Sequence, residues 1–388
     1  MPNLSFWEKE SFFKNIDIAV IGSGIVGLTT AIFLKKENPA LQVAILEKGS
    51  LPLGASTRNA GFACFGSMTE LLDDLESRPE EEVFALVRSR WEGLINLRNL
   101  VGDENLGYKP LGGFEIFRQE EESLFEKCLT NMARFNEMMA KITKQPATYV
   151  VADQHLKQFG FKGISHIIHN TAEGQINTGA MMRSLLKIAR QLGVQFFFGI
   201  AVKAIEDAQN QSVVITENGW EIKAKRALVA TNGFSKKLLP ELEIQPARNQ
   251  VLITEPIDNL PFRGAFHYDR GYYYFRSVET NGKFRILLGG GRNLSPEAER
   301  TEEFGLTDLI QNELKSLLRN VILPDQTISI ESWWSGILGV GEIKKPILKM
   351  VSPSVGVAVR LGGMGVAIGS QIGKDAARML VTSLSKFH

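Results

Sequence analysis

The sequence predicts an α/β protein: a parallel-sheet unit interrupted by a second, α+β unit built on an antiparallel sheet. Three observations carry this. Ile16–Ile21 and residues 43–46 are short, unbroken apolar runs, the composition of strands buried on both faces. Between them, Leu28, Ala31, Ile32 and Lys35 fall at helical spacing up to Glu37-Asn38-Pro39, closing a β–turn–α–β unit of normal size. Much later, residues 250–289 switch to a strand-like, aromatic-rich pattern centred on Tyr272-Tyr273-Tyr274-Phe275.

The remaining elements follow in order. Residues 49–67, rich in Gly, Ser, Ala and Asn, read as loop. Residues 80–100 read as an amphipathic helix, with Val83, Leu86, Val87, Leu94, Ile95 and Leu97 on one side. Residues 120–141 form a second helix whose charges make a solvated face, and 178–192 a third with Thr178 as N-cap. Strands are expected at 194–198, 213–216, 222–224 and 227–230, with Asn218-Gly219 as a hairpin turn. Residues 306–318 look helical; 355–361 form a strand, and 366–380 a helix after a glycine turn. The expected division is therefore discontinuous. One unit, a nucleotide-binding one, takes 1–75, 146–240 and 331–388, and a substrate-binding unit takes 76–145 and 241–330.

Composition narrows the function classes. With 388 residues, 44% apolar and 22% charged, the chain can bury the cores of two or three domains. Lys+Arg 44 against Asp+Glu 43 leaves a net charge of +1, which argues against a dedicated nucleic-acid or membrane-surface binder. Cys64 and Cys128 are the only cysteines; neither lies in a CxxC or Cys/His pattern, so no disulfide framework and no metal site is expected. Residues 1–15 lack the apolar core of a signal peptide, and no apolar run is long enough to span a bilayer. The expectation is a cytoplasmic protein, with its oligomeric state left open.

The chemistry begins at Gly22-Ser23-Gly24-Ile25-Val26-Gly27. Gly22 permits the turn, Gly24 lets backbone approach a pyrophosphate, and Gly27 lets helix pack on strand. The amides opening the helix at Ile25 and Val26 face the phosphates. Glu47, with Lys48 beside it, ends the second strand about 20 residues past Gly27, where a carboxylate accepts from ribose hydroxyls and repels a ribose phosphate. The unit is thus Rossmann-like and takes an adenine dinucleotide. FAD and NAD are not separated by this fingerprint. A second glycine turn at Ala230-Thr231-Asn232-Gly233 would bring Thr231 and Gly233 over the same ligand. Leu361-Gly362-Gly363-Met364-Gly365 opens the last helix at Val366, and a helix N-terminus there suits the negative charge a reduced flavin gathers at N1–C2=O. Gly369 and Gly373, four apart, suit close packing of that helix. An NAD-dependent dehydrogenase or a non-catalytic dinucleotide-binding module are the rival readings.

Together these residues resemble the D-amino-acid oxidase (DAO) family of FAD-dependent amine oxidoreductases. The match comprises the 22–27 turn with Glu47, the loop Ala55-Ser56-Thr57-Arg58-Asn59-Ala60-Gly61, the segment Pro246-Ala247-Arg248-Asn249-Gln250, the stretch Tyr273-Tyr274-Phe275-Arg276 with Leu288-Gly289-Gly290, and the 362–365 turn. They occur in family order over nearly the whole chain. The loop is most similar to γ-glutamylputrescine oxidase-like members, with glycine and sarcosine oxidases more distant. The resemblance implies that Ser56, Thr57, Arg58, Asn59 and Gly61 line the pyrophosphate and isoalloxazine edge. Val202 would hold the adenine through its backbone, and Gly363, Met364, Gly365 and Val366 would sit at the flavin C2 carbonyl. Met364 stands where relatives often carry histidine. With no cysteine after 128 and no histidine before 155, the FAD is expected to be non-covalent.

The implied reaction is oxidation of a C–N bond in an amino acid or a secondary or aliphatic amine by hydride transfer to flavin, the imine then hydrolysing. Tyr273, Tyr274 and Arg276 are the expected catalytic set. Arg276 would take a substrate carboxylate, with Arg58 and Arg270 next in line. The small-molecule amine is the only partner expected; a flavin domain acting on a modified tRNA nucleoside shares the fold and is the alternative enzyme. His166, His169 and His267 look isolated, and Trp333-Trp334 is expected to pack at a sheet end.

Overall fold

The computed structural model describes residues 4–208, 211–324 and 326–385; Met1, Pro2 and Asn3, part of the segment read above for a signal peptide, lie outside them. Two eight-stranded sheets organise the chain. The first runs Ile347–Met350, Val355–Val359, Glu221–Val229, Ile16–Ile21, Val43–Glu47, Gln195–Phe198. Its five central strands are all parallel, and Val202–Ala208 and Gln211–Thr216 form an antiparallel meander off Glu221–Val229. Ile18, Val20, Val43 and Ile45 are fully covered, as the unbroken apolar runs require. Residues 221–229 make one strand where two were expected.

The helix Ile25–Glu37 packs on this sheet and against the C-terminal helix Gly365–Ser385. The two lie so close that a Cβ on Gly373 would fall 2.0 Å from Thr29 Oγ1, and one on Gly369 2.6 Å from Ile25 Cγ2. Both glycines do what their spacing suggested. The crossing also sets the two helix N-termini side by side. The third long helix begins at Thr178 as expected, but its cap is Asn177, whose side chain accepts from the Ala180 amide at 2.9 Å.

The second sheet runs Ile330–Val340, Gln245–Thr254, Lys283–Gly290, Tyr273–Thr280, Ala265–Tyr268, Gly113–Arg118, Ile164–Asn170, Tyr149–Val151. Its pairs are antiparallel except Ala265–Tyr268 against Gly113–Arg118. Phe114, Phe161, Phe262, Phe266 and Phe275 fill the core on one face. Strand pairing cuts across the expected division of the chain. Ile164–Asn170 and Ile330–Val340, expected in the nucleotide-binding unit, belong to the second sheet. The helix Glu80–Val101, expected with the substrate unit, packs on the C-terminal helix, where a Cβ on Gly93 would meet Ala367 O at 2.0 Å. An apolar helix face says that something covers it and does not say which sheet. Among the described residues no helix is long and apolar enough to cross a membrane.

Candidate active site

The first parallel strand ends at Gly22, whose φ of +102° is the left-handed region that favours glycine. A Cβ on Gly27 would lie 2.0 Å from Gly22 O, so turn and helix close on each other only without one. Gly24 occupies the N-cap and lends the helix no side-chain cap; the Ile25 amide instead donates to Ser56 Oγ at 2.9 Å, bringing the 55–61 loop to the helix N-terminus. Glu47 accepts from Ser23 N (3.0 Å), Ser23 Oγ (2.6 Å) and Gly49 N (3.0 Å), which fixes its carboxylate beside the turn. The side chain of Lys48 is exposed. The Ile200 amide donates to Glu47 O at 3.0 Å, carrying the chain toward Val202 across the tip of the second strand. Thr231 abuts the turn, its Cγ2 3.4 Å from where a Gly22 Cβ would stand. Around Gly362 and Gly363 there is open space. The glycine cradle, the paired helix N-termini and this open bend leave room for a dinucleotide along the first sheet's edge.

A cavity of about 450 Å³ lies at that end, walled by the 58–64 loop, the second sheet and the 361–366 bend. From the sheet, Asn249, Val251, Tyr274 and Leu338 face it. The Tyr274 hydroxyl accepts from Asn249 Nδ2 at 3.4 Å and burial pushes its pKa up to about 12, so it stays a neutral phenol. Asn249 Oδ1 is buried with no hydrogen-bond partner among the described residues. Most lining charges are paired: Arg90 with Glu70 at 3.0 Å, Lys344 with Asp74 at 2.8 Å, Arg270 with Asp73 at 3.9 Å. Arg360 is spent on the carbonyls of Glu243 and Lys345, each at 2.9 Å. Arg292, half-buried in the wall near Tyr274, has no acid, carbonyl or ring partner among the described residues. Neither Arg292 nor Asn249 had been singled out. Asn249 falls inside a segment recognised only for its resemblance, and the one available signal for Arg292 was an arginine directly after Gly289-Gly290-Gly291.

The expected catalytic set divides. Strand alternation sends Tyr273 to the opposite face from Tyr274, into the phenylalanine core, with its hydroxyl 3.5 Å from Glu313 Oε1. It does not reach the cavity. Arg276 shares the Tyr274 side, but the loop covers it: at 6% exposure its Nε donates to Ala60 O, and burial lowers its pKa to about 10. It anchors the loop from beneath. Arg58 clamps the loop to the second sheet, its Nη1 donating to Ser335 O at 2.9 Å while Trp334 Nε1 donates to Arg58 O at 2.9 Å. Asn59 ties the loop to itself and to the 178–191 helix, accepting from Gly61 N at 2.8 Å and Thr178 Oγ1 at 3.0 Å and donating to Ser56 O at 2.8 Å. Thr57 donates to Pro52 O and is otherwise exposed. Gly233 is small because a Cβ there would meet Leu338 O at 2.4 Å, a contact with the second sheet and not with the dinucleotide turn. His267 is not isolated: its ring lies with Cys64 and Glu173, donor atoms within 4.8 Å of one another, beside the cavity.

Parallel sheet, glycine cradle and the cavity beside them are the arrangement of a dinucleotide-binding protein. The family model of FAD dependent oxidoreductases (DAO) matches residues 17–379, so the chain belongs to that family and its cofactor is FAD. Bifunctional protein ThiO/ThiG of Trichormus variabilis is 27% identical over 343 residues, covering 86% of this chain and 47% of that protein. Glycine oxidase of Bacillus subtilis is 21% identical over 329 residues, covering 84% of this chain and 81% of the oxidase. The crystal structure of glycine oxidase from Bacillus cereus superposes with a TM-score of 0.74 at 17% identity over 95% of both chains. The chain spans about half the length, or less, of the bifunctional relatives.

Proposed function

We propose that this chain oxidises the C–N bond of an amino acid or N-substituted amino acid whose carboxylate is held by Arg292. The guanidinium in the cavity wall, without an acid, carbonyl or ring partner among the described residues, carries the reading. A cation half-removed from water without an acid is costly unless a ligand supplies the charge, and its planar fork suits a carboxylate. Bound FAD supplies the hydride acceptor, held by the 22–27 turn, Glu47, Ser56 and the 361–366 bend. Asn249 Oδ1 and the Tyr274 hydroxyl, 3.4 Å from the same amide, are acceptors for the substrate nitrogen. Val251, Leu338 and Met364 exclude water around the reacting carbon. With no cysteine after 128 and no histidine before 155, the FAD is held non-covalently, and acid precipitation should leave a colourless pellet.

Arg292→Met tests the assignment. A charge-assisted contact of about 1.5–3 kcal/mol corresponds to a rise of about 10- to 100-fold in KM for glycine, sarcosine or another amino acid. KM for a plain amine of similar size should stay unchanged. Equal effects on both would remove Arg292 from the carboxylate site.

A further inference from the structure

We infer that Cys64, Glu173 and His267 form a three-ligand site for a zinc-type divalent cation, opening on the cavity. Three separate pieces of chain deliver them. Cys64 follows the short strand Phe62–Ala63, Glu173 precedes its partner strand Gly174–Gln175, and His267 lies on Ala265–Tyr268 of the second sheet. One donor atom from each lies within 4.8 Å of the other two. Zinc bonds of about 2.0–2.3 Å put tetrahedral ligands about 3.3–3.8 Å apart, so side-chain rotations closing at most about 1.5 Å complete the site.

Cys64 and Glu173 already face each other as thiol and carboxylate, and His267 brings the third donor beside them. The His267 ring makes only an edge contact with Phe62, centroids 5.4 Å apart, and no hydrogen bond or ion pair among the described residues. Glu173 Oε1 accepts from Phe65 N at 2.8 Å and Gly66 N at 3.2 Å, the kind of backbone support that orients a ligating carboxylate. A Cβ on Gly113 would fall 2.0 Å from Glu173 Oε2, so the absence of a side chain there is what lets the carboxylate in.

Thiolate and carboxylate together neutralise a 2+ ion, and a sulfur–imidazole–carboxylate set selects Zn²⁺, Co²⁺ or Cd²⁺ over Mg²⁺ and Ca²⁺. The positive Arg276 also faces Cys64, with the Glu173 and Glu70 carboxylates nearby. His267 and Cys64 line the cavity, which leaves the fourth coordination position to water or a small ligand from that side.

The test uses the reduced full-length holoprotein, dialysed against ZnCl₂ and then against metal-free buffer. Zinc content is measured, and zinc K-edge absorption reads the ligands without interference from flavin. One Zn²⁺ per chain is expected, with one sulfur at about 2.3 Å and nitrogen or oxygen at about 2.0–2.2 Å. Cys64→Ser should lose the sulfur shell, and Cys128→Ser should keep it. FAD content and circular dichroism verify that each variant folds. If Cys64→Ser does not fold, His267→Asn takes its place and must lose the bound zinc. No retained zinc, a shell of nitrogen and oxygen alone, or a sulfur shell that survives Cys64→Ser overturns the site.

Discussion

The dinucleotide turn and the cavity, which the proposed function gives to one elongated ligand, are built in opposite ways. The turn is contiguous: Gly22 to Gly27 answer to backbone geometry, one through a positive φ and one through a 2.0 Å approach. The cavity is convergent. Asn249, Tyr274, Arg292 and Met364 come from separate segments, and their meaning lies in which way each side chain points. Backbone constraints leave a fixed spacing in the sequence; convergence of side chains leaves none.

The largest effect should therefore come from the contiguous end. In Gly27→Val a branched side chain enters where even a Cβ collides with Gly22 O. Overpacking costs about 3 kcal/mol or more here because the obstacle is backbone. FAD retained after gel filtration should fall below about a tenth of wild type, with a lower Tm. A yellow, fully stable Gly27→Val protein would break the backbone account of the turn.

What could be read in the sequence follows the same line. The parallel core, the cradle with Glu47 and the close-packed Gly369 and Gly373 were legible because each is a local rule of backbone or period. Strands Gly113–Arg118, Ile164–Asn170 and Ile330–Val340 were not. Their pairing into the second sheet rests on contacts far apart in the chain, and Ile164–Asn170 carries His166, His169 and Asn170 among its apolar residues. Arg276 was legible as an arginine near the site but not as a buried one, because strand parity gives the face and not what lies over it. Cys64, Glu173 and His267, 109 and 94 positions apart in sequence, had no spacing to betray them.

The tyrosine pair sharpens the point with an intermediate effect. Tyr274→Phe removes a hydroxyl facing the cavity beside Asn249, and kcat/KM should fall about 10-fold with little change in Tm. Tyr273→Phe removes a hydroxyl pointing to Glu313 in the other direction, and should leave kcat/KM within about 2-fold. Arg276→Met, losing the anchor on Ala60, should lower Tm and FAD retention and raise KM for amino acids and plain amines alike. A carboxylate-selective effect at Arg276 and none at Arg292 would reverse their assignments.

An effect confined to stability, and only above about pH 5, is expected at Glu115. This carboxyl is buried without a cation, accepting from the Thr69 hydroxyl and from Thr69 N at 3.3 Å, and burial raises its pKa to about 7. The folded chain thus holds a proton that the unfolded chain releases from about pH 4.5 upward. The penalty is absent below that value, grows between pH 4.5 and about 7 and is complete above it, at most about 3 kcal/mol. Glu115→Gln keeps the neutral shape and cannot ionise. Its Tm should match wild type near pH 5 and exceed it by several degrees at pH 8. Glu173 titrates over the same range in both proteins, so the difference between them isolates Glu115. A Tm difference independent of pH would mean that Glu115 is already ionised in the folded chain, and that this interior is wetter than its burial implies.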